Sequence, residues 1–153
     1  MVNPQRPQPL FLEDLSVGDV FESESLTLSA EQIVAFAEQF DPQPFHLDDE
    51  AAKGSFFEGL AASGWHTVAL TMRLLVRSFP LACGVIGAGA ELAWPKAVRP
   101  GDRLRATSTV LDISPSRSKP DRGIVVVQTV TSNQLDEVVQ RLTSKLLVFR
   151  RAA

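Results

Sequence analysis

Between residues 29 and 40, apolar side chains recur at helical intervals. Ile33, Phe36, Ala37 and Phe40 follow Ser29 and Gln32, which stand at capping-box spacing. The pattern predicts a helix over 30–40 with one buried stripe. Pro42 disfavours helical geometry at Asp41, and Pro44 extends the break. "DDEAAKG", residues 48–54, reads as a short helix with acids in its first turn, Lys53 in its last and Gly54 beyond. A second long helix starts near Ser63-Gly64 and runs to about residue 78. Trp65, Val68, Ala69, Met72, Leu75, Val76 and Phe79 share one face of it, which predicts a buried stripe. His66, Thr67, Arg73 and Arg77 fall largely off that face.

The period changes after Pro80. Four strands are predicted at about 84–94, 103–112, 123–132 and 137–149, separated by the turn signals "WPKAVRPGD", "SPSRSKPDRG" and "SNQLDE". "RLRATSTVLDI" and "VVQRLTSKLLVF" alternate as half-buried strands do, while "GIVVVQTV" is apolar enough to be covered on both faces. "VGDVFESESLTLS", with Gly18-Asp19 as its turn, supplies a first strand. Short connections favour antiparallel pairing, because parallel neighbours need crossovers of about a dozen residues or more. The predicted fold class is α+β: one antiparallel five-stranded sheet wrapped around the long helix, in a single domain over residues 11–150. Residues 1–10, with three prolines, read as an extended N-terminal arm.

Composition narrows the function more than the fold. The net charge of −3 gives no electrostatic reason to expect nucleic acid or an anionic membrane as partner. No apolar run approaches the ~20 residues that span a bilayer, and the N-terminus lacks a signal-peptide core. Cys83 is the single cysteine, which excludes an internal disulfide and fits a reducing, cytoplasmic location. In "LACGVIG" it reads as a small buried residue at a strand start.

The candidate chemistry lies in "AFAEQFDPQPFHLDDEAAK", residues 35–53. Asp41 and His46 are five apart in a proline-stiffened loop, where a bend lets them converge. A carboxylate and an imidazole together can position and deprotonate a water. Asp41 equally suits an Asx turn and His46 a backbone partner. In "SGWHT", Gly64 at a helix start would let a ligand approach free N–H groups at the positive end of the helix dipole. Ser63 there also suits an ordinary N-cap, and Gly64 close helix packing. His66 with Asp41 and His46 offers a metal donor set, but metal-site spacings are absent, and a polar-face or boundary histidine is the expectation. Arg117, Lys119 and Arg122 sit in a loop that is either solvated or set to meet phosphates.

"FAEQFDPQPFHLDDEAA" resembles the signature of the MaoC-like dehydratases, the (R)-specific enoyl-CoA hydratases of hot-dog fold. Asp41, Pro44, Phe45, His46 and Ala52 fall in register with it. "FFEGLAASGWHTVAL" and "WPKAVRPGDRLRATSTVL" are similar to its following segments, so the resemblance covers about residues 11–150. It implies a hot-dog fold and an enoyl-CoA hydratase or 3-hydroxyacyl-CoA dehydratase. Asp41 and His46 would activate one water, and the Gly64 N–H would polarise the thioester carbonyl. Pro44, Phe45, Ser63 and Trp65 would line the substrate site, with bulky Phe45 and Trp65 shortening the acyl pocket. The resemblance implies no metal and no cofactor beyond the coenzyme A of an acyl-CoA substrate. It also implies a homodimer, or a larger assembly of dimers. Phe40 and Gln43 replace the signature's glycine and asparagine, and Ser63 stands where many members have histidine. Two other readings share the fold: a thioesterase, disfavoured because residues 64–78 hold no acid, and a non-catalytic acyl-CoA-binding subunit, disfavoured because both motif residues are kept.

Overall fold

The computed structural model describes residues 8–152, so most of the expected N-terminal arm lies outside the described residues. The arm's last residue, Leu10, is joined to the domain: its N–H donates to Pro80 O and its carbonyl accepts from Ala82 N–H, each at 2.8 Å.

A 3-10 turn at Leu12–Asp14 leads into two short strands, β1 (Val20–Glu22) and β2 (Leu26–Thr27). The expected first strand is therefore split, and both pieces pair antiparallel with β4 (Arg103–Pro115). The helical block follows: α1 (Ala30–Phe40), α2 (Pro44–Leu47), α3 (Asp49–Lys53) and α4 (Gly64–Ser78). Then come β3 (Gly87–Ala93), β4, β5 (Arg122–Ser132) and β6 (Val138–Phe149). The sheet order is β1-β4-β5-β6-β3, all antiparallel, with β3 on an edge.

α1 forms where the spacing predicts. Ser29 Oγ accepts from Gln32 N–H and the Gln32 side chain accepts from Ser29 N–H, a reciprocal cap of about 1 kcal/mol. α2 was not expected. Pro44 does not prolong the break but opens this helical turn, since its fixed φ suits a first helical position and the N–H it lacks has no helical acceptor there.

Along β5, buried residues alternate with half-buried ones, so this strand is covered on one face and not on both. The covered face packs on α4 and carries two apolar clusters. One gathers Leu75, Phe79, Val110, Val127 and Leu146; the other gathers Leu28, Ile33, Leu104 and Val139. Truncating Phe79, which is fully enclosed, would cost about 3–5 kcal/mol. Between the clusters along the strands lies a polar band. Ser108 Oγ meets Thr129 Oγ1 at 2.9 Å, Thr71 Oγ1 meets Thr131 Oγ1 at 2.7 Å, and the Gln140 amide donates to Thr71 Oγ1 at 3.0 Å.

That band turns the buried face of α4 away from the expected one, although Leu75 and Phe79 are buried as expected. The buried positions are His66, Thr67, Thr71, Leu74 and Leu75. Trp65, Met72 and Val76, expected inside, are 60%, 39% and 49% exposed. The sheet supplies hydroxyl and amide partners to the threonine stripe, so the most apolar stripe of the helix is left for another surface. Cys83 also differs from expectation. It is half-buried in the turn before β3, with its Sγ 3.3 Å from Gly84 O.

Candidate active site

The break at Pro42 places Asp41 just past the end of α1, with its N–H still donating to Ala37 O at 2.9 Å. The chain then folds back on itself: Gln43 N–H donates to Asp41 O, and His46 N–H to Gln43 O. His46 thus rises from α2 toward Asp41, with Nε2 3.3 Å from Asp41 Oδ2. His46 is 4% exposed, and its Nδ1 lies 2.6 Å from Ala61 O. A carbonyl only accepts, so Nδ1 carries a proton, and in the neutral ring the lone pair sits on Nε2. Oδ2 and that lone pair are then two acceptors facing one point. A proton shared between them, or a water donating to both, satisfies the arrangement.

The other carboxylate oxygen is occupied. Gln43 Nε2 donates to Asp41 Oδ1 at 2.6 Å. Burial pushes the Asp41 carboxyl upward, but hydrogen bonding from Gln43 and Ser63 and the charge of His46 outweigh it and hold the group below its ordinary value. Ser63 is fully buried and caps α4, accepting from Trp65 N–H at 3.3 Å, which leaves its own proton free for Asp41.

Asp41, His46, Gly64 and Trp65 come together on one cleft of about 590 Å³. Its remaining walls are largely aromatic and aliphatic: Phe56, Phe57, Trp94, Pro95 and Val98. Gly64 is the first residue of α4, and a Cβ there would stand 2.7 Å from Trp94 Cε2. Glycine is required by that contact. Three of the sequence-derived binding residues lie elsewhere. Pro44 is exposed at the start of α2, Ser63 is behind the cleft wall, and Phe45 packs at 5.0 Å on Phe57 and edge-on at 4.6 Å to the His46 ring.

Phe57, Trp94 and Arg99 escaped the sequence reading, and Gln43 entered it only as a departure from the signature. Arg99 donates to the carbonyls of Gly59, Leu60 and Phe57, tying down the loop that carries Phe57. Its own N–H donates to Asp102 Oδ2 at 2.8 Å. Only the "RPGD" turn hinted at this clamp.

His66 lies inside and not on a polar face. It is 7% exposed and its ring stacks on Phe36 at 4.4 Å and 2°. Its Nδ1 is buried with no partner among the described residues, and burial lowers its pKa. Among the described residues no three His, Cys, Asp or Glu side chains are grouped to hold a metal ion. Arg117, Lys119 and Arg122 do not line the cleft; Arg122 pairs with Asp121 and lies 4.7 Å over the Phe149 ring. Among the described residues no helix is long and apolar enough to cross a membrane.

Comparison with known proteins gives this geometry a context. The family model of the MaoC-like domain matches residues 14–134. The uncharacterized protein YdeM of Bacillus subtilis is 36% identical over 126 residues, covering 80% of this chain and 87% of its own. A crystal structure of a MaoC-like dehydratase from Rhodospirillum rubrum superposes with a TM-score of 0.92 at 63% identity, over 94% of this chain and 99% of its own. The (R)-hydratase from A. caviae involved in PHA biosynthesis superposes with a TM-score of 0.70 at 26% identity, over 91% of this chain and 99% of its own.

Proposed function

The chain belongs to the MaoC-like domain family, and from that membership and the loop geometry we propose that it adds water to, or removes it from, a trans-2-enoyl thioester of coenzyme A. The observation that carries the reading is the convergence of Asp41 Oδ2 and His46 Nε2 beside the first residue of α4. A water held between them gives one proton to the pair as its oxygen attacks the β-carbon. The same proton is then returned to the α-carbon, so the sum is one water added across the double bond. The Gly64 N–H, at the positive end of α4, stabilises the negative charge that builds on the thioester oxygen. No cofactor is needed beyond the coenzyme A arm of the substrate, and we place the reaction in the cytoplasm.

The assembly belongs to the same proposal. The outward stripe of Trp65, Ala69, Met72 and Val76 and the edge strand β3 give a second copy of the chain an apolar helix face and a free row of backbone groups. A dimer is expected in sedimentation, and Met72→Glu with Val76→Glu should shift it toward monomer.

The direct test follows the ultraviolet absorbance of crotonyl-CoA, with a thiol reagent in a parallel cuvette. Absorbance loss without thiol release supports hydration. Thiol release would move the protein to the thioesterases, and silence in both cuvettes across a panel of enoyl-CoAs would remove the catalytic reading.

A further inference from the structure

Trp94 lines the cleft but takes no part in the proposed proton transfers. We propose that Trp94 is the residue that limits acyl chain length, and that buried Gln140 is the positioning residue that holds it. This inference rests on the hydratase reading for which end of the substrate meets Gly64.

The contact with Gly64 sets the indole's place. A Cβ on Gly64 would lie 2.7, 2.9 and 3.1 Å from Trp94 Cε2, Cζ2 and Cδ2. The six-membered ring therefore presses on the α-carbon of the residue whose N–H meets the carbonyl. An acyl group bound there has the indole as its immediate neighbour.

The indole, 44% exposed, is tethered from its inner side. Its Nε1–H donates to Gln140 Oε1 at 3.0 Å. Gln140 is fully buried, and its amide donates to Thr71 Oγ1 at 3.0 Å, which in turn meets Thr131 Oγ1 at 2.7 Å. A swing of Trp94 would leave the Gln140 oxygen buried without that donor. Trp65 meets it edge-on at 5.8 Å and 77°. Pro95 and Val98 continue the same side of the cleft. A wall tied in place by Gln140, beside the carbonyl-binding point, selects short acyl chains. A pocket discriminates by about 10–200-fold per methylene it admits or refuses.

The test compares kcat/KM for four- and eight-carbon trans-2-enoyl-CoAs in wild type, Trp94→Ala, Trp94→Phe and Gln140→Met. The wild type should prefer four carbons. Trp94→Ala should raise the eight-to-four ratio by about 10-fold or more. Gln140→Met should move it the same way by a few-fold, with Trp94→Phe in between. A folded Trp94→Ala variant that loses activity equally at both lengths, or keeps the wild-type ratio, overturns the proposal. Calorimetric binding of butyryl-CoA and octanoyl-CoA to the same variants separates the two ideas. A wild type that binds both but hydrates neither enoyl thioester would defeat the hydratase reading, while the ratio of binding constants still decides the wall. Failure of the wild type to bind either saturated thioester overturns both.

Discussion

The chain has two histidines, and both are buried, yet they live in opposite surroundings. His46 meets a carbonyl at one nitrogen and a carboxylate at the other. His66 has a phenylalanine ring against its face and, among the described residues, no partner for its buried Nδ1. An imidazole in the first setting can trade a proton with a guest; in the second, gaining one means charging a group in an apolar wall. Burial therefore does not mark out the histidine proposed for catalysis. The supply of polar partners does, and it comes from the local turn at 41–46 together with one distant carbonyl.

The widest gap between the two should appear in turnover. His46→Gln and Asp41→Asn are expected to lower kcat by about 10²–10⁴-fold in the crotonyl-CoA assay, whereas His66→Phe should stay within a few-fold of wild type. Comparable losses at both histidines would end the contrast. Next in size, Gly64→Ala drives a methyl group into the Trp94 ring and displaces the N–H proposed to meet the carbonyl, with an expected fall of about 10²-fold.

A gentler test uses pH. His66 has its folded pKa depressed below 6.5 by burial, so the unfolded chain takes up its proton first. Its contribution to stability is complete above pH 6.5 and is lost as pH falls through the folded value. Denaturant midpoints of His66→Phe should lose less than wild type does between pH 7 and 5. Asp41, also depressed, contributes in the same direction only at lower pH, below its ordinary 3.8. The smallest effect belongs to Gln43→Met. Without the donor to Oδ1, the Asp41 pKa rises, and the acid limb of the kcat/KM profile should move to higher pH with a loss of only a few-fold.

Much of this was readable in the chain. α1 and α4 begin and end where caps, prolines and periodicity place them, and the four later strands follow their turn signals closely. The Asp41–His46 pair was visible because both lie on one short loop. Apart from α2, what escaped was decided by distant side-chain partners. The inward face of α4 could not be read from hydropathy, since Thr71 is buried for the sake of Thr131 and Gln140, 60 and 69 residues away. Trp94 looked like punctuation before Pro95; its contact with Gly64 exists only once β3 is in the sheet. The resemblance implied Phe45 as pocket, but its ring packs between Phe57 and the edge of the His46 ring and does not line the cleft.

The bond from His46 Nδ1 to Ala61 O also bears on geometry in the product. It keeps one imidazole proton out of circulation, so in the proposed reaction only Nε2 exchanges with the substrate. Hydroxyl and hydrogen then both come from the one loop, on the one side of the cleft where Asp41 stands. The planar enoyl group is thereby attacked and protonated on the same face, and hydration in heavy water should give a single diastereomer with deuterium and hydroxyl added syn.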